Sequence, residues 1–226
     1  MGISRGNITT NIIKKGLIFN MDAANRGSYP KTGTTATDTT NNLAGTLSGV
    51  AFIPSSGSGV WSFDGVDDNI DCGNQSSLSF TSNFSICAWM KSSDQTNYAV
   101  AIGKTASYNG YSMQMRASDN KFQFNINVGG SWKAAYYSLS PIDNGNWYYV
   151  VGTHDGSTVK IYINAVKGTD ASAGSASTNS NSFFIGAEDS GQYFKGNIGP
   201  VHVYNRVLSA PEVLFNYNGL KSRFGL

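Results

Sequence analysis

Apolar and polar residues alternate in short segments along almost the whole chain, and turn-forming dipeptides separate those segments about every ten to fifteen residues. Gly16 to Asp22 is the first such segment, and a second resumes at Leu47. Further ones run Val60 to Phe63, Asn69 to Cys72, Phe84 to Lys91, Tyr98 to Lys104, Tyr111 to Arg116, Lys121 to Val128 and Trp132 to Leu139. The series closes with Trp147 to His154, Thr158 to Asn164, Ser182 to Ala187 and Gly196 to Asn205. Period-two alternation means one face in and one face out, so each segment reads as a half-buried strand. Asn109-Gly110, Asp119-Asn120, Gly129-Gly130, Asn144-Gly145 and Asp155-Gly156 sit where hairpins need positive φ. The pattern predicts an all-β chain, a two-sheet antiparallel β-sandwich.

One helix signal interrupts it. Ser209, Pro211 and Glu212 form an N-terminal capping box, and Gly219 is placed to end the helix. Residues 1–15 carry no useful periodicity and read as an N-terminal arm, residues 16–208 as the sandwich, and residues 209–226 as a short helix and tail. Ser28 to Asn42 reads as a surface loop, and Gly168 to Asn181, rich in Gly, Ala, Ser and Thr, as a mobile loop. With 226 residues, one domain can bury roughly 70% of its unfolded surface, enough for a core without metals or disulfides. Cys72 and Cys87 lie in neighbouring segments that both read as strand, which leaves a bridge open, and two buried free thiols are the favoured reading.

Charge narrows the function classes. The net charge is only +2, with Lys and Arg scattered, which argues against nucleic acid as a partner. No apolar run approaches the roughly 20 residues of a membrane helix, and the polar start has no signal-peptide core. The expectation is a chain made in the cytoplasm without a membrane contact. Catalysis lacks parts: Glu188 and Glu212 are the only glutamates, neither beside a second acid on one strand face, whereas glycoside cleavage needs two carboxyls about 5 Å apart. His154 and His202 lie in or at the ends of strands without ligand or triad spacing. The chain reads as a non-enzyme that requires no cofactor.

Two groups remain as candidate sites. Asp64, Asp67 and Asp68 gather hard oxygen ligands within one short turn, with Asp22 at the end of the first strand; they suit calcium, or turn hydrogen bonds alone. On the middle strands, alternation points Ser112, Gln114 and Arg116, and Gln123, Asn125 and Asn127, outward, with Tyr111, Met113, Met115, Phe122, Phe124 and Ile126 inward. Flanked by Trp132 or Tyr137, that amide-rich face suits a glycan, or is simply a solvated sheet. Phe63, Phe84, Trp89, Trp147, Tyr149 and Tyr204 recur at strand period and read as core.

In order, GLIFNMDAAN, SFDGVDDNIDCG, FSICAWMK, NWYYVVGTHDGSTVKIYIN and FFIGAEDSGQYFKGNIGPVHVYNRVLSAPEV resemble the laminin-G-like, concanavalin A-like jelly-roll family over about residues 16 to 216. Several relatives hold calcium at a sandwich edge, so the resemblance implies that Asp22, Asp64, Asp67 and Asp68 could supply oxygens. In the family, Asn-Gly usually follows the Thr158–Asn164 strand; Ala165 stands in place of that Gly, which predicts a turn other than type I′. SYP-x-x-GT at Ser28 to Thr34 and the ending NYNGLKSRFGL resemble the subset found in virion proteins of tailed bacteriophages. That resemblance implies a virion structural protein, decorating a capsid or forming part of a tail or fibre. Its partners would be other virion proteins and copies of itself, with a host-surface glycan as a further ligand. Attachment would fall to apolar residues of the two ends, Ile3, Ile8, Phe224 and Leu226. A carbohydrate-binding adhesion module not tied to a virion is the alternative.

Overall fold

The computed structural model describes residues 11–54, 56, 58–93, 98–105, 109–116, 118, 121–139 and 145–226. In chain order its strands are β1 (Leu17–Met21), β2 (Thr35–Thr37), β3 (Ala44–Ser48), β4 (Ala51–Ile53), β5 (Val60–Asp64), β6 (Asn69–Asp71), β7 (Phe84–Ser92) and β8 (Tyr98–Thr105). They continue as β9 (Gly110–Arg116), β10 (Lys121–Val128), β11 (Ser131–Ser138), β12 (Tyr148–His154), β13 (Thr158–Ile163), β14 (Val166–Ser172), β15 (Phe184–Ile185) and β16 (Lys195–Tyr204), before helix α1 (Ala210–Leu220). Two antiparallel sheets result. The first runs β14-β13-β12-β7-β16-β5-β4, with β1 paired to the second half of β16; the other runs β11-β10-β9-β8-β15-β6-β3-β2.

The inward residues of both sheets form the main core: Ile86, Ala88 and Met90 of β7 on one side, Met113, Met115, Phe122, Phe124 and Ile126 of β9 and β10 on the other. Gly152 of β12 lies directly under Phe124, where a Cβ would come 2.2 Å from the ring. A residue without a side chain is what lets the two sheets close there.

The outer face of the first sheet is buried as well. Cys87, Trp89, Tyr149, Val151 and Tyr204 point away from the main core into a second cluster closed by Val213 and Leu220 of α1, by Phe224 and by Ile12. The capping box of α1 forms as the sequence predicts: the Ser209 amide donates to Glu212 at 2.9 Å, and Arg206 grips the same carboxylate at 2.7 and 2.9 Å. The helix does not stop at Gly219. It runs to Leu220 and continues as a 3-10 turn through Phe224, ending at Gly225 with φ 76°.

That turn corrects the reading of Phe224 as an attachment residue. Its ring stacks on Trp89 at 4.2 Å and leans on Trp147 at 4.6 Å, so it is part of the second cluster. Ile3 and Ile8 lie outside the described residues, and Leu226 is exposed. The arm drawn through residue 15 is also corrected. Ile12 is buried, the Ile13 amide donates to Asn216 Oδ1 at 2.8 Å, and Tyr204 Oη donates to the Ile13 carbonyl at 3.0 Å.

Three local expectations change with it. Ser28 to Asn42 contains β2 and two fully buried residues, Ala36 and Asp38, whose carboxylate accepts the Asn20, Thr40 and Asn41 amides. Gly168 to Ser172 belongs to β14. Asn164 and Ala165 both take positive φ, 50° and 67°, in a two-residue loop closed by the Ile163–Val166 pair, which is type I′ after all. Asn164 secures that loop by accepting the Tyr149 amide at 2.8 Å. Cys72 and Cys87 are buried free thiols, as expected.

Candidate functional site

The outer face of the second sheet holds an open cleft over β9, β10 and β11, and its floor follows from register. Ser112 of β9 lies opposite Asn125 of β10, which lies opposite Ala134 of β11; Gln114 lies opposite Gln123, and Gln123 opposite Tyr136. Residues directly opposite share a face, so the outward side chains form rows across three strands. Trp132 begins the series on β11, opposite Asn127. At the far corner, Tyr98 of β8 lies opposite Arg116, whose guanidinium sits 5.1 Å over its ring. From Tyr98 to Trp132 is three strand steps of about 4.8 Å across and six residues of about 3.4 Å along, a diagonal on the order of 25 Å.

The segment that follows β15 builds a wall over β8. The Val100 amide donates to the Gln192 carbonyl at 3.1 Å and Val100 and Tyr193 form a parallel bridge, so the segment runs along the edge of β8, while its Ala187 and Glu188 lie over the outward side at Gly103. Glu188, Ser190 and Gln192 then face the floor. Together with Tyr98, Ser112, Gln114, Arg116, Gln123, Asn125, Trp132, Ala134 and Tyr136 they line an open cleft of about 560 Å³.

The floor is polar and internally ordered. Asn125 Nδ2 donates to Ser112 Oγ at 3.3 Å, and the Gln114 and Gln123 amides meet at 2.9 Å. In the amide orientation that satisfies its neighbours, the Gln123 oxygen accepts from Arg116 Nη1 at 2.9 Å and Nε at 3.1 Å. Such a network fixes rotamers ahead of any ligand. Glu188 accepts a hydrogen bond from the Ser190 hydroxyl. Burial pushes its carboxyl above the usual carboxylate range, the Ser190 bond draws it partly back, and the like charge of Asp189 pushes it up again. Trp132 and Tyr98 remain substantially exposed, at 38% and 48%.

Of the glycan residues expected from sequence, Gln114, Arg116, Asn125 and Trp132 meet in this cleft. Tyr137 does not, and this is a correction: it packs against the main core, while Tyr136 takes the outward position. Trp132 and Tyr137 are an odd number of residues apart, so a regular strand cannot show both on one face. Asn127 shares the parity but is fully buried, its Oδ1 accepting the Gly130 amide at 2.9 Å. The wall residues Glu188, Ser190 and Gln192 were not expected.

The acidic residues do not form one site. Asp64, Asp67 and Asp68 bring carboxylate oxygens within 4.8 Å of one another. Asp22 is not with them: it is buried in an ion pair with Arg223, at 2.8 and 3.1 Å, and caps the Ala24 amide. Asp64 Oδ1 accepts the Val66 amide at 2.7 Å and Asp68 Oδ2 accepts the Asp64 amide at 2.8 Å, so this carboxylate group shapes its own turn. Three side chains from one turn fall short of the six to eight oxygens calcium takes. His154 and His202 are fully buried; burial lowers the His202 pKa to about 4, and His154 hydrogen-bonds the Gly174 carbonyl at 3.0 Å.

Comparison with known proteins agrees with this architecture. The family model Laminin_G_3, described as Concanavalin A-like lectin/glucanases superfamily, matches residues 64–214. None of the curated proteins compared with the chain matches it. Among solved structures, domain 4 of the GH43 extracellular arabinanase AbnA from Geobacillus stearothermophilus, in complex with arabinotriose, superposes with a TM-score of 0.72 at 18% identity, covering 89% of this chain and 98% of that domain. The botulinum neurotoxin serotype G binding domain gives 0.69 at 17%, covering 89% and 50%. The serotype D ligand binding domain in complex with N-acetylneuraminic acid gives 0.70 at 14%, covering 90% and 51%, so the chain spans about half of either toxin domain. The family match takes in most of the sandwich, from the end of β5 into α1, and the chain belongs to the Concanavalin A-like lectin/glucanases superfamily, with the lectin-like jelly-roll fold of that group.

Proposed function

We propose that this protein is a carbohydrate-binding module that holds an extended oligosaccharide, rather than a single sugar ring, along the diagonal of the cleft. The observation that carries the reading is the ordered row of amides and one guanidinium between Trp132 and Tyr136 at one end and Tyr98 at the other. Amides and a guanidinium match the donors and acceptors of sugar hydroxyls, and aromatic faces match the apolar faces of sugar rings. The reading is non-catalytic because Glu188 is the one carboxylate among the described lining residues, and hydrolysis of a glycosidic bond takes two. Arabinotriose on the arabinanase domain and N-acetylneuraminic acid on the toxin domain are in keeping with it. Isothermal titration with neutral arabino-, xylo-, gluco- and galacto-oligosaccharides tests it. Binding should be lost at least tenfold, about 1.4 kcal/mol, in Trp132→Ala. Unchanged affinity in that variant, or no oligosaccharide bound at all, would remove the reading.

A place in a bacteriophage virion is a second reading, and it draws on the resemblance of Ser28 to Thr34 and of the C-terminal NYNGLKSRFGL. With Phe224 buried, attachment to other virion proteins or to further copies would fall to Leu214, Phe215 and Leu226, exposed by 47%, 43% and 48%. Stoichiometric co-purification with intact particles is the expected result, and its absence counts against the reading.

A further inference from the structure

Glu188 reaches the cleft through a gap in the sheet. Gly103 of β8 lies opposite Ser112 of β9, so its missing side chain would have pointed to the cleft face, at the head of the row Ser112, Asn125, Ala134. A Cβ there would stand 3.3 Å from the Ala187 carbonyl and 3.4 Å from Glu188 Cβ. The wall therefore settles where that side chain is absent and sets the Glu188 carboxylate over the row, with Ser190 hydrogen-bonded to it. The neighbouring charge that acts on it, Asp189, has the same sign. Arg116 stands four residues along β9 from Ser112, about 14 Å of backbone, and its guanidinium is already engaged with Gln123 and the Tyr98 ring.

From this placement we infer that Glu188 determines the class of glycan the cleft takes: it accepts hydrogen bonds from the hydroxyls of neutral sugars and rejects sugars that carry carboxylates along the chain. A carboxylate accepts at both oxygens and donates from neither, so a vicinal pair of hydroxyls satisfies it, whereas a second carboxylate in that row leaves two like charges facing each other in a partly desolvated cleft. The inference rests on the cleft being the oligosaccharide site proposed above.

The test compares the neutral arabino-, gluco- and galacto-oligosaccharides of the titration panel, each with a derivative whose primary hydroxyls are oxidised to carboxylates, at pH 7, for the intact protein and for Glu188→Gln. Gln keeps the size and the bond to Ser190 but carries no charge and can donate. In the unaltered protein the neutral form should bind about tenfold or more tighter than its oxidised derivative, and Glu188→Gln should shrink that ratio by about tenfold. Equal binding of the two forms by the unaltered protein, or a ratio unchanged in Glu188→Gln, would overturn the inference while leaving the binding site in place. Failure of every neutral and oxidised sugar to bind would overturn the site itself, and the inference with it.

Discussion

Removing the last six residues, Lys221 to Leu226, should destabilise the sandwich rather than leave it untouched. Two losses coincide. Phe224 is 8% exposed, stacked on Trp89 and tilted against Trp147; truncating a buried Phe costs about 3–5 kcal/mol, and its place near the end of the chain argues for the lower figure. Arg223 leaves Asp22 behind, buried and without its partner, at about 3–5 kcal/mol for a broken buried pair. The two residues are adjacent and share a surface, so the losses overlap, and about 4–6 kcal/mol is the expected total. For a domain of this length each kcal/mol shifts Tm by about 2–4 °C, which places the truncated chain at least about 8 °C below the full one. Calorimetry or circular dichroism measures this directly. Phe224→Ala and Arg223→Met should each give about half the shift. Coincident melting curves for the full and truncated chains would refute the second cluster as a stabilising layer and restore the end of the chain as a free tail.

Two further outcomes follow from local geometry. Ala165→Gly, which relieves a side chain held at φ 67°, should raise stability by about 1 kcal/mol and Tm by about 2–4 °C; a drop would mean the turn relies on the Ala165 methyl contact with the second cluster. Acid should act in two windows. Burial holds the folded His202 pKa near 4 against an ordinary 6.5, so the unfolded chain gains the proton first and stability falls as pH drops from about 6.5 to about 4. The Arg206 hydrogen bonds hold Glu212 near 2 against an ordinary 4.5, so its share is present above about 4.5 and lost toward about 2. Urea midpoints measured against pH should lose part of the upper slope in His202→Asn, His154, whose pKa burial also lowers, keeping the rest, and the lower one in Glu212→Gln, and a flat profile from 6.5 to 4 in the unaltered protein would contradict the first.

Strands that alternate over seven or more residues, such as β7, β9 and β10, were legible because their period is long enough to stand out. Three-residue strands such as β2 and β4 have no measurable period, and β14, written VKGTDAS on an exposed edge, has no apolar face to reveal it. Ala165 was misread because local preference was weighed without the Asn164 side chain, which ties the loop to β12. The cleft floor was legible for the same reason the strands were: Gln114, Arg116, Asn125 and Trp132 follow from parity, and Tyr137 fails by parity. Glu188 was out of reach, since its position depends on an absent side chain at Gly103 in another part of the chain. The Asp22–Arg223 pair was equally hidden, because it joins the first strand to the last turn.

The close approach of residues 11–13 to α1, where a Cβ on Gly219 would stand 2.1 Å from the Asn11 carbonyl, sets how the domain can be mounted. Both ends of the described chain come together behind the first sheet, with the whole thickness of the sandwich between them and the cleft. Whatever grips the molecule at residues 11–13 or at the last turn, a support in the laboratory or a larger assembly, takes hold of its back and leaves the cleft facing outward. Many copies mounted side by side would then present their clefts in one direction, and a ligand with repeating units could engage several at once without the domain changing shape.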